Sequence, residues 1–442
     1  MTVAEVGARA RPKAAMHSPR GPFSLLADTR FRRLWIGQAV SELGDGMAGL
    51  ALVVLVHRLA GTMSAIAMLS ILTSLPQIMV GLHAGVLVDR WDRRRTMIAC
   101  DVARALLAAA LVFAQDPRSL PWIYALAIAQ AAASVFFEPA RTAFLPAVVE
   151  PRALLQANSF SQSTRMVSMT AGAALAGLLL AFPAGARWVF ALDALSFAIS
   201  ALVLRAIGPV EAAAAPVESS SLERSTSLTA ELIEGLRMLF GNPALLALLV
   251  TFAITLLGTG AVGVLFVPFM LRDLGASTFA VGIVRSAQTV GMLLGAALLA
   301  GPGARWSPAR VLGFGIAGLG PCLALMGWAP HWIALLPLLV GIGMCSSAIQ
   351  AGSVTILQQG VPDRARGRAE SALDTLLMAV MLIAMAGAGF FGDRFGARAV
   401  FLTAGVLAVL AALVGRTWRS AERFANVDGP QKDHFIGEPG SR

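Results

Sequence analysis

Apolar runs long enough to cross a bilayer recur along this chain, and no other feature limits its fold so strongly. A helix needs about 20 predominantly apolar residues to span the hydrocarbon core. Twelve runs qualify: 31–56, 63–88, 96–114, 122–145, 158–181, 188–207, 243–270, 278–301, 309–328, 332–357, 369–391 and 397–416. Hydrocarbon offers no partner to backbone N–H and C=O groups, so runs of this length must be helices. The expected fold is an all-α membrane protein of twelve transmembrane helices. Composition agrees, because only 14% of the residues are charged where a soluble domain has about a quarter.

Connections between the runs are short, with one exception at 208–242. Gly208-Pro209 stops the sixth run, and Glu211 to Ser227 is rich in Ala, Ser, Glu and Pro, as linkers are. Leu232, Ile233, Leu236 and Leu239 then make one apolar helical face suited to a membrane surface. The runs divide six and six. The expected organisation is a cytoplasmic N-terminal tail (1–30), an N-terminal six-helix bundle (31–207), a cytoplasmic linker (208–242), a C-terminal six-helix bundle (243–416) and a cytoplasmic C-terminal tail (417–442).

Charge placement sets the orientation. The stretch Gly85 to Thr96 packs Asp89, Arg90, Asp92, Arg93, Arg94 and Arg95 between two apolar runs, leaving room only for a tight loop at a membrane surface. Cytoplasmic loops carry the Lys/Arg excess. With both termini inside, 25 of the 35 basic residues lie on the cytoplasmic side, six lie outside, and Arg104, Arg141, Arg165 and Arg285 fall within runs. The net charge of +10 is thereby accounted for without nucleic acid. Cys100, Cys322 and Cys345 sit inside apolar runs without metal-ligand spacing, and the five histidines are scattered, so no metal or cofactor is expected. No Gly-Lys-Ser/Thr phosphate loop and no Gly-x-Ser-x-Gly elbow is present, which argues against ATP drive and hydrolase chemistry. The polar, basic first 30 residues hold no apolar core, so no cleavable signal peptide is expected.

The two halves echo each other. Arg90-Trp91 and Arg95 correspond to Arg305-Trp306 and Arg310, with Ala304 where Asp89 stands. Val149, Arg152, Ala153, Ala157 and Ser159 correspond to Val361, Arg364, Ala365, Ala369 and Ser371. Gly85, Leu87, Asp89, Arg90, Trp91, Arg93 and Arg94 also form a pattern, Gly-x-Leu-x-Asp-Arg-aromatic-x-Arg-Arg, that resembles the helix 2–3 loop motif of the major facilitator superfamily. Asp92 departs from it, since that position is usually Gly. Four further stretches resemble the bacterial efflux branch that includes macrolide and enterobactin exporters: Ser41 to Asp45, Glu138 to Pro146, Asp193 to Phe197 and Val361 to Arg368. The resemblance spans about 31–416. It implies two pseudo-symmetric six-helix halves that expose a midplane site to either side in turn. It also implies that Asp89 meets the start of the eleventh helix, with Gly85, Arg90, Arg93, Arg94 and Asp374 completing a cytoplasmic gate. The fourth-helix arginine of other drug:proton antiporters is absent, and Gln130 lies near its place.

A charge inside a run is expensive and usually faces a cavity or a partner. Glu42 and Asp45 share one face of the first helix near the midplane, where two close acids repel and can carry a proton; the alternative is that Asp45 only braces the helix beside Gly44 and Gly46. Asp101 and Arg104 read as a structural pair. Glu138, Arg141, Arg165, Asp193, Arg285 and Gln350 are candidates to line a substrate cavity, with His83, Gln130 and Gln288 as weaker ones. The chain reads as a secondary exporter of the cell inner membrane, a monomer moving an amphipathic small molecule, a drug or antibiotic, outward against protons. Siderophore or natural-product export is the alternative in the same class. A non-transporting membrane sensor or lipid-handling protein is the alternative outside it.

Overall fold

The computed structural model of this protein describes residues 22–208, 237, 240, 241, 243–360 and 363–415. The side chains of His83, Asp89 and residues 357–372, and almost all of the linker and both tails, lie outside the described residues.

Eleven long helices account for nearly all of the described chain, and among the described residues there is no strand. They are α1 (Thr29–Ala60), α2 (Met63–Asp89), α3 (Arg93–Leu111), α4 (Leu120–Val148), α5 (Leu154–Leu179) and α6 (Gly185–Ala206). There follow α7 (Pro243–Pro268), α8 (Thr278–Ala300), α9 (Pro308–Trp328), α10 (Leu335–Gly360) and α11 (Asp363–Gly415). Their ends carry the residues that helix ends require. The Asp28 carboxylate accepts from the Arg30 and Phe31 N–H groups at 2.7 and 3.1 Å, and Gly61, in left-handed conformation at φ 68°, closes α1. Thr62 then caps α2, so two residues turn the chain back. Asp92 caps α3 by accepting from Arg95 N–H at 2.7 Å. That explains why an acid stands where the motif has Gly: the position is an N-cap, for which Asp is favoured.

Helix α11 is two helices joined by a hard turn. Gly396 has φ 81° and ψ 160°, a conformation that only glycine reaches without strain. It separates a limb over 363–395 from a limb over 397–415, where the sequence expectation ends one run and starts the next. Nine stretches among the described residues are long and apolar enough to cross a membrane. Helices α3 and α5 fall short because Arg93 to Arg95, Asp101 and Arg104 load the first, and eight polar or charged residues from Gln156 to Arg165 load the second. The two limbs of α11 fall within a single stretch, Leu373–Leu413.

The packing has two halves with matching neighbours. Helix α1 packs on α5 and α6, α2 on α4, and α3 on α4 and α6. In the second half α7 packs on α11, α8 on α10, and α9 on α10 and α11. Between the halves the principal contacts are α5 against α8 and α2 against α11. Exposed tryptophans mark both rims, with Trp91 and Trp306 at the end that carries the arginine-rich knot and Trp122, Trp188 and Trp328 at the far end, as in the aromatic belts of membrane proteins.

The core is divided unequally. At the far end one continuous cluster joins both halves, including Val54, Ile66 and Phe190 from the first and Phe266, Val281, Met326 and Phe401 from the second. At the knot end, among the described residues, there are two. One holds Phe31, Met97, Phe144 and Leu204; the other holds Leu312, Ile316 and Ala411. The halves thus share one core at the far end, whereas the clusters described at the knot end each belong to one half. Polar contacts repeat the pattern. Thr278 Oγ1 donates to the Gly177 carbonyl at 3.0 Å, and the Thr170 and Thr289 hydroxyls are 2.8 Å apart. Asp393, at the far-end turn of α11, accepts from the Met63 and Ser64 N–H groups at 2.7 and 3.0 Å and from the Ser64 hydroxyl.

Candidate functional site

Glu42, Asp45, Arg104, Glu138 and Arg165 converge on one cavity of about 290 Å³. Helix α1 supplies Gln38, Ser41, Glu42 and Asp45, α3 supplies Arg104, α4 supplies Ser134, Phe137 and Glu138, and α5 supplies Arg165 and Met169. The sequence spacing explains the α1 contribution, because residues 38, 41, 42 and 45 repeat at helical intervals on one face. Glu42 is buried, and its Oε2 has no hydrogen-bond partner. The Asp45 carboxylate is reached by Arg104 only at long range, with Nη1 3.9 Å from Oδ2.

Glu138 is held from two sides. Its Oε2 accepts from Arg141 Nε and Nη2 at 3.1 and 2.9 Å, and its Oε1 pairs with Arg165. Two guanidinium groups on one carboxylate leave a net positive charge at this wall, across the cavity from Glu42 and Asp45. Arg141 therefore stands behind Glu138 as its partner and is not among the cavity-lining residues. Asp193 is fully buried and also outside the cavity wall; Gln130 Nε2 donates to its Oδ2 at 3.3 Å, while Oδ1 is unpartnered. Gly44 lets α1 come this close to α6, for a Cβ there would lie 2.7 Å from Asp193 Oδ1.

Arg285 and Gln350 do not line this cavity. Both are exposed. Arg285 lies on the α8 face that carries Gly282 and Thr289 toward α5, with its guanidinium 5.6 Å from the Phe266 ring centre. Among the described residues no ion pair involves it.

The knot arginines bind their own half. Arg93 Nη1 donates to the Ala143 carbonyl at 3.0 Å; Arg94 donates to the Leu204 and Arg205 carbonyls at 2.9 and 2.7 Å. Arg33 adds a bond to the Ala206 carbonyl at 2.5 Å. Arg90 and Asp374 are exposed, and Gly85 has open space where a Cβ would stand. Asp89 belongs to α2, but its side chain lies outside the described residues.

Sequence reasoning missed the surroundings of Arg104. The pairing with Asp101 is present, at 2.5 Å from Nη2 to Oδ1. The guanidinium also lies between two rings, 4.3 Å from the centre of Phe137 and 4.4 Å from that of Phe197. Nothing in the sequence marks these two among 22 phenylalanines, except that Phe137 adjoins Glu138 and Phe197 lies one turn after Asp193.

Residues 34–264 and 248–437 match the family profile described as Major Facilitator Superfamily. Macrolide efflux protein A of Streptococcus pyogenes is 24% identical over 393 residues, which cover 87% of this chain and 95% of that protein. Multidrug efflux pump Tap of Mycolicibacterium fortuitum is 27% identical over 403 residues, covering 87% and 93%. Enterobactin exporter EntS of Escherichia coli is 24% identical over 347 residues, covering 76% and 79%. Among solved structures, the nucleoside transporter NupG superposes with a TM-score of 0.72 at 13% identity, over 88% of this chain and 99% of that one.

Proposed function

This chain belongs to the Major Facilitator Superfamily, a multi-pass membrane transporter and not an enzyme, and from that premise we propose that it exports an amphipathic small molecule across the inner membrane by proton antiport. In this reading it has twelve spans, the two limbs of α11 counting as two, with both termini and the knot in the cytoplasm. The basic residues of the knot and of the Arg30–Arg33 turn support that orientation. The division of the core among the described residues, one cluster outside and two inside, supports alternating access with this conformation open to the cytoplasm.

One observation carries the reading: Glu42 and Asp45 stand side by side in a cavity in the middle of the first half, Glu42 without an ion pair among the described residues and Asp45 with only the Arg104 guanidinium 3.9 Å away. A carboxylate drawn out of water with its charge only weakly compensated is costly, and its cost falls when it takes a proton or a cation. Export then alternates the two. A cationic amphipath arriving from the cytoplasm displaces the proton, and outside, a proton displaces the amphipath. The efflux names of the relatives point the same way. The acid pair favours a cationic drug over an anionic siderophore of the kind the EntS similarity would suggest, and a sensor or lipid-handling protein would have no use for it. Arg165 and Glu138 form the opposite wall. Arg285 and Gln350 contribute from the second half, and Arg141 and Asp193 support from behind. The cytoplasmic gate comprises Gly85, Asp89, Arg90, Arg93, Arg94 and Asp374, the first of which has the free space to receive α11 when that end closes.

The test is substrate-driven proton movement in proteoliposomes loaded with a macrolide antibiotic. Asp45→Asn and Glu42→Gln should each abolish or strongly reduce proton movement per molecule exported. Full proton-coupled flux in both variants would refute the assignment.

A further inference from the structure

Helix α3 holds a feature that the antiport reading leaves unused. Arg104 stands between two acids of unequal access. Its Nη2 donates to Asp101 Oδ1 at 2.5 Å, and its Nη1 is 3.9 Å from Asp45 Oδ2. The Asp101 side chain is fully buried, whereas that of Asp45 is 36% exposed, on the cavity side. Asp101 Oδ2 and Arg104 Nε have no hydrogen-bond partner. The Phe137 and Phe197 rings hold the guanidinium plane from α4 and α6.

A sealed carboxylate without its cation is far costlier than one that water can reach. Attraction between unit charges also weakens with distance. Both effects assign the arginine to Asp101. Turning the guanidinium to Asp45 would draw it away from the two rings and leave Asp101 charged without a cation. No other cation replaces it at Asp45. The charges that face Asp45 are Glu42 on its own helix, Arg104 and Asp101 on α3, Glu138 on α4, Arg165 on α5 and Asp193 on α6. Of the two arginines, Arg165 is bonded to Glu138.

We infer that Arg104 is a positioning residue that commits its charge to Asp101 and so keeps Asp45 open to exchange. Asp45 can then hold a proton, release it as a cation docks on the carboxylate, and take it back when the cation leaves. The ring clamp is what stops the arginine from neutralising Asp45 permanently. This rests on the antiport reading for its purpose, but its geometry can be tested alone.

Infrared difference spectra of the purified full-length protein report the protonated-carboxyl C=O band of Asp45, identified by its loss in Asp45→Asn. No substrate is added, and the pH is held where the wild type shows the band. Asp101→Asn sets Arg104 free to pair with Asp45, so the band should be lost. Arg104→Gln/Asp101→Asn removes both charges together, and the band should return. A merely structural ion pair gives a different result, with the double variant no better than the single. If Asp101→Asn does not fold, Phe137→Leu opens the clamp without removing a charge and should weaken the band. An unchanged band in either single variant, no return in the double, or no Asp45 band in the wild type overturns the inference. Bands that behave as expected in protein that moves no protons with substrate refute proton antiport alone. Proton-coupled export with an unmoved band refutes the role of Arg104 alone.

Discussion

Arginine has two separate tasks in this protein, and the difference lies in what surrounds each one. At helix ends it ties up carbonyls that the helix cannot satisfy. Arg33 and Arg94 do so for α6, Arg58 for Leu180 after α5, and Arg398 for Gly327 in α9. In the interior, Arg104 and Arg165 meet carboxylates instead. Sequence could find the second set, because a charge inside an apolar run is conspicuous. It could not find the first, because a loop arginine gives no sign of which carbonyl it will reach. Asp92 is a similar case. It reads as a break in a motif until the Arg95 N–H is seen bonded to it. Asp92→Ala should cost about 1 kcal/mol and Asp92→Gly only a few tenths, measured as denaturant midpoints in one detergent. An alanine variant as stable as wild type would remove the capping role.

Among elements, the informative ones are those that fail as simple apolar spans. Helix α5 is too polar to qualify, yet its polar side chains find partners inside the protein. Thr164 accepts from Trp35 Nε1 at 2.9 Å, Arg165 pairs with Glu138, and Thr170 meets Thr289. A hydropathy count sees only that the helix is polar, and cannot tell that three neighbouring helices make it so at little cost. The turn at Gly396 was legible as a gap between two runs, since Gly, Asp and Arg cluster there. The linker helix expected over 229–240 lies almost entirely outside the described residues. Where α2 and α11 cross between the halves, Gly389 gives the clearance. A Cβ there would come within 3.0 Å of Ser64 Cα. Gly389→Val should therefore wedge the far end apart, and spin-label distances between the outer ends of α2 and α11 should lengthen. A distance distribution equal to wild type would show that the crossing is loose.

For the whole molecule, the balance between its two ends is set by unlike devices. The far end is closed by a shared apolar core and by Asp393 on the N-terminus of α2, where a carboxylate meets free N–H groups and the positive end of the helix dipole. The family resemblance implies the same role for Asp89 toward the start of α11 at the other end. Substitutions at the two should act in opposite directions. Asp393→Ala should favour opening of the far end and Asp89→Asn opening of the knot end. For an exposed contact such as that of Asp393 the effect is about 1 kcal/mol, roughly fivefold in population. Paired spin labels at both ends of one protein would read the two shifts together, and shifts of the same sign would refute the opposition. Sequence could supply half of this scheme. The knot announces itself by its charge, whereas Asp393 is an ordinary loop acid until Met63 and Ser64 are found beneath it.

The undivided core at the far end has a consequence for a cell that holds this protein but meets no substrate. Parting that end means exposing apolar surface from both halves at once, while the knot end already stands apart. Under the proposed orientation and antiport, an idle transporter waits with Asp45 turned toward the cytoplasm and shielded from the opposite side. If export is proton-coupled as proposed, protons then have no route inward through a carrier that is not exporting. The same packing that holds the two halves together would keep the membrane from being short-circuited, so the gene could be expressed continuously without draining a proton gradient.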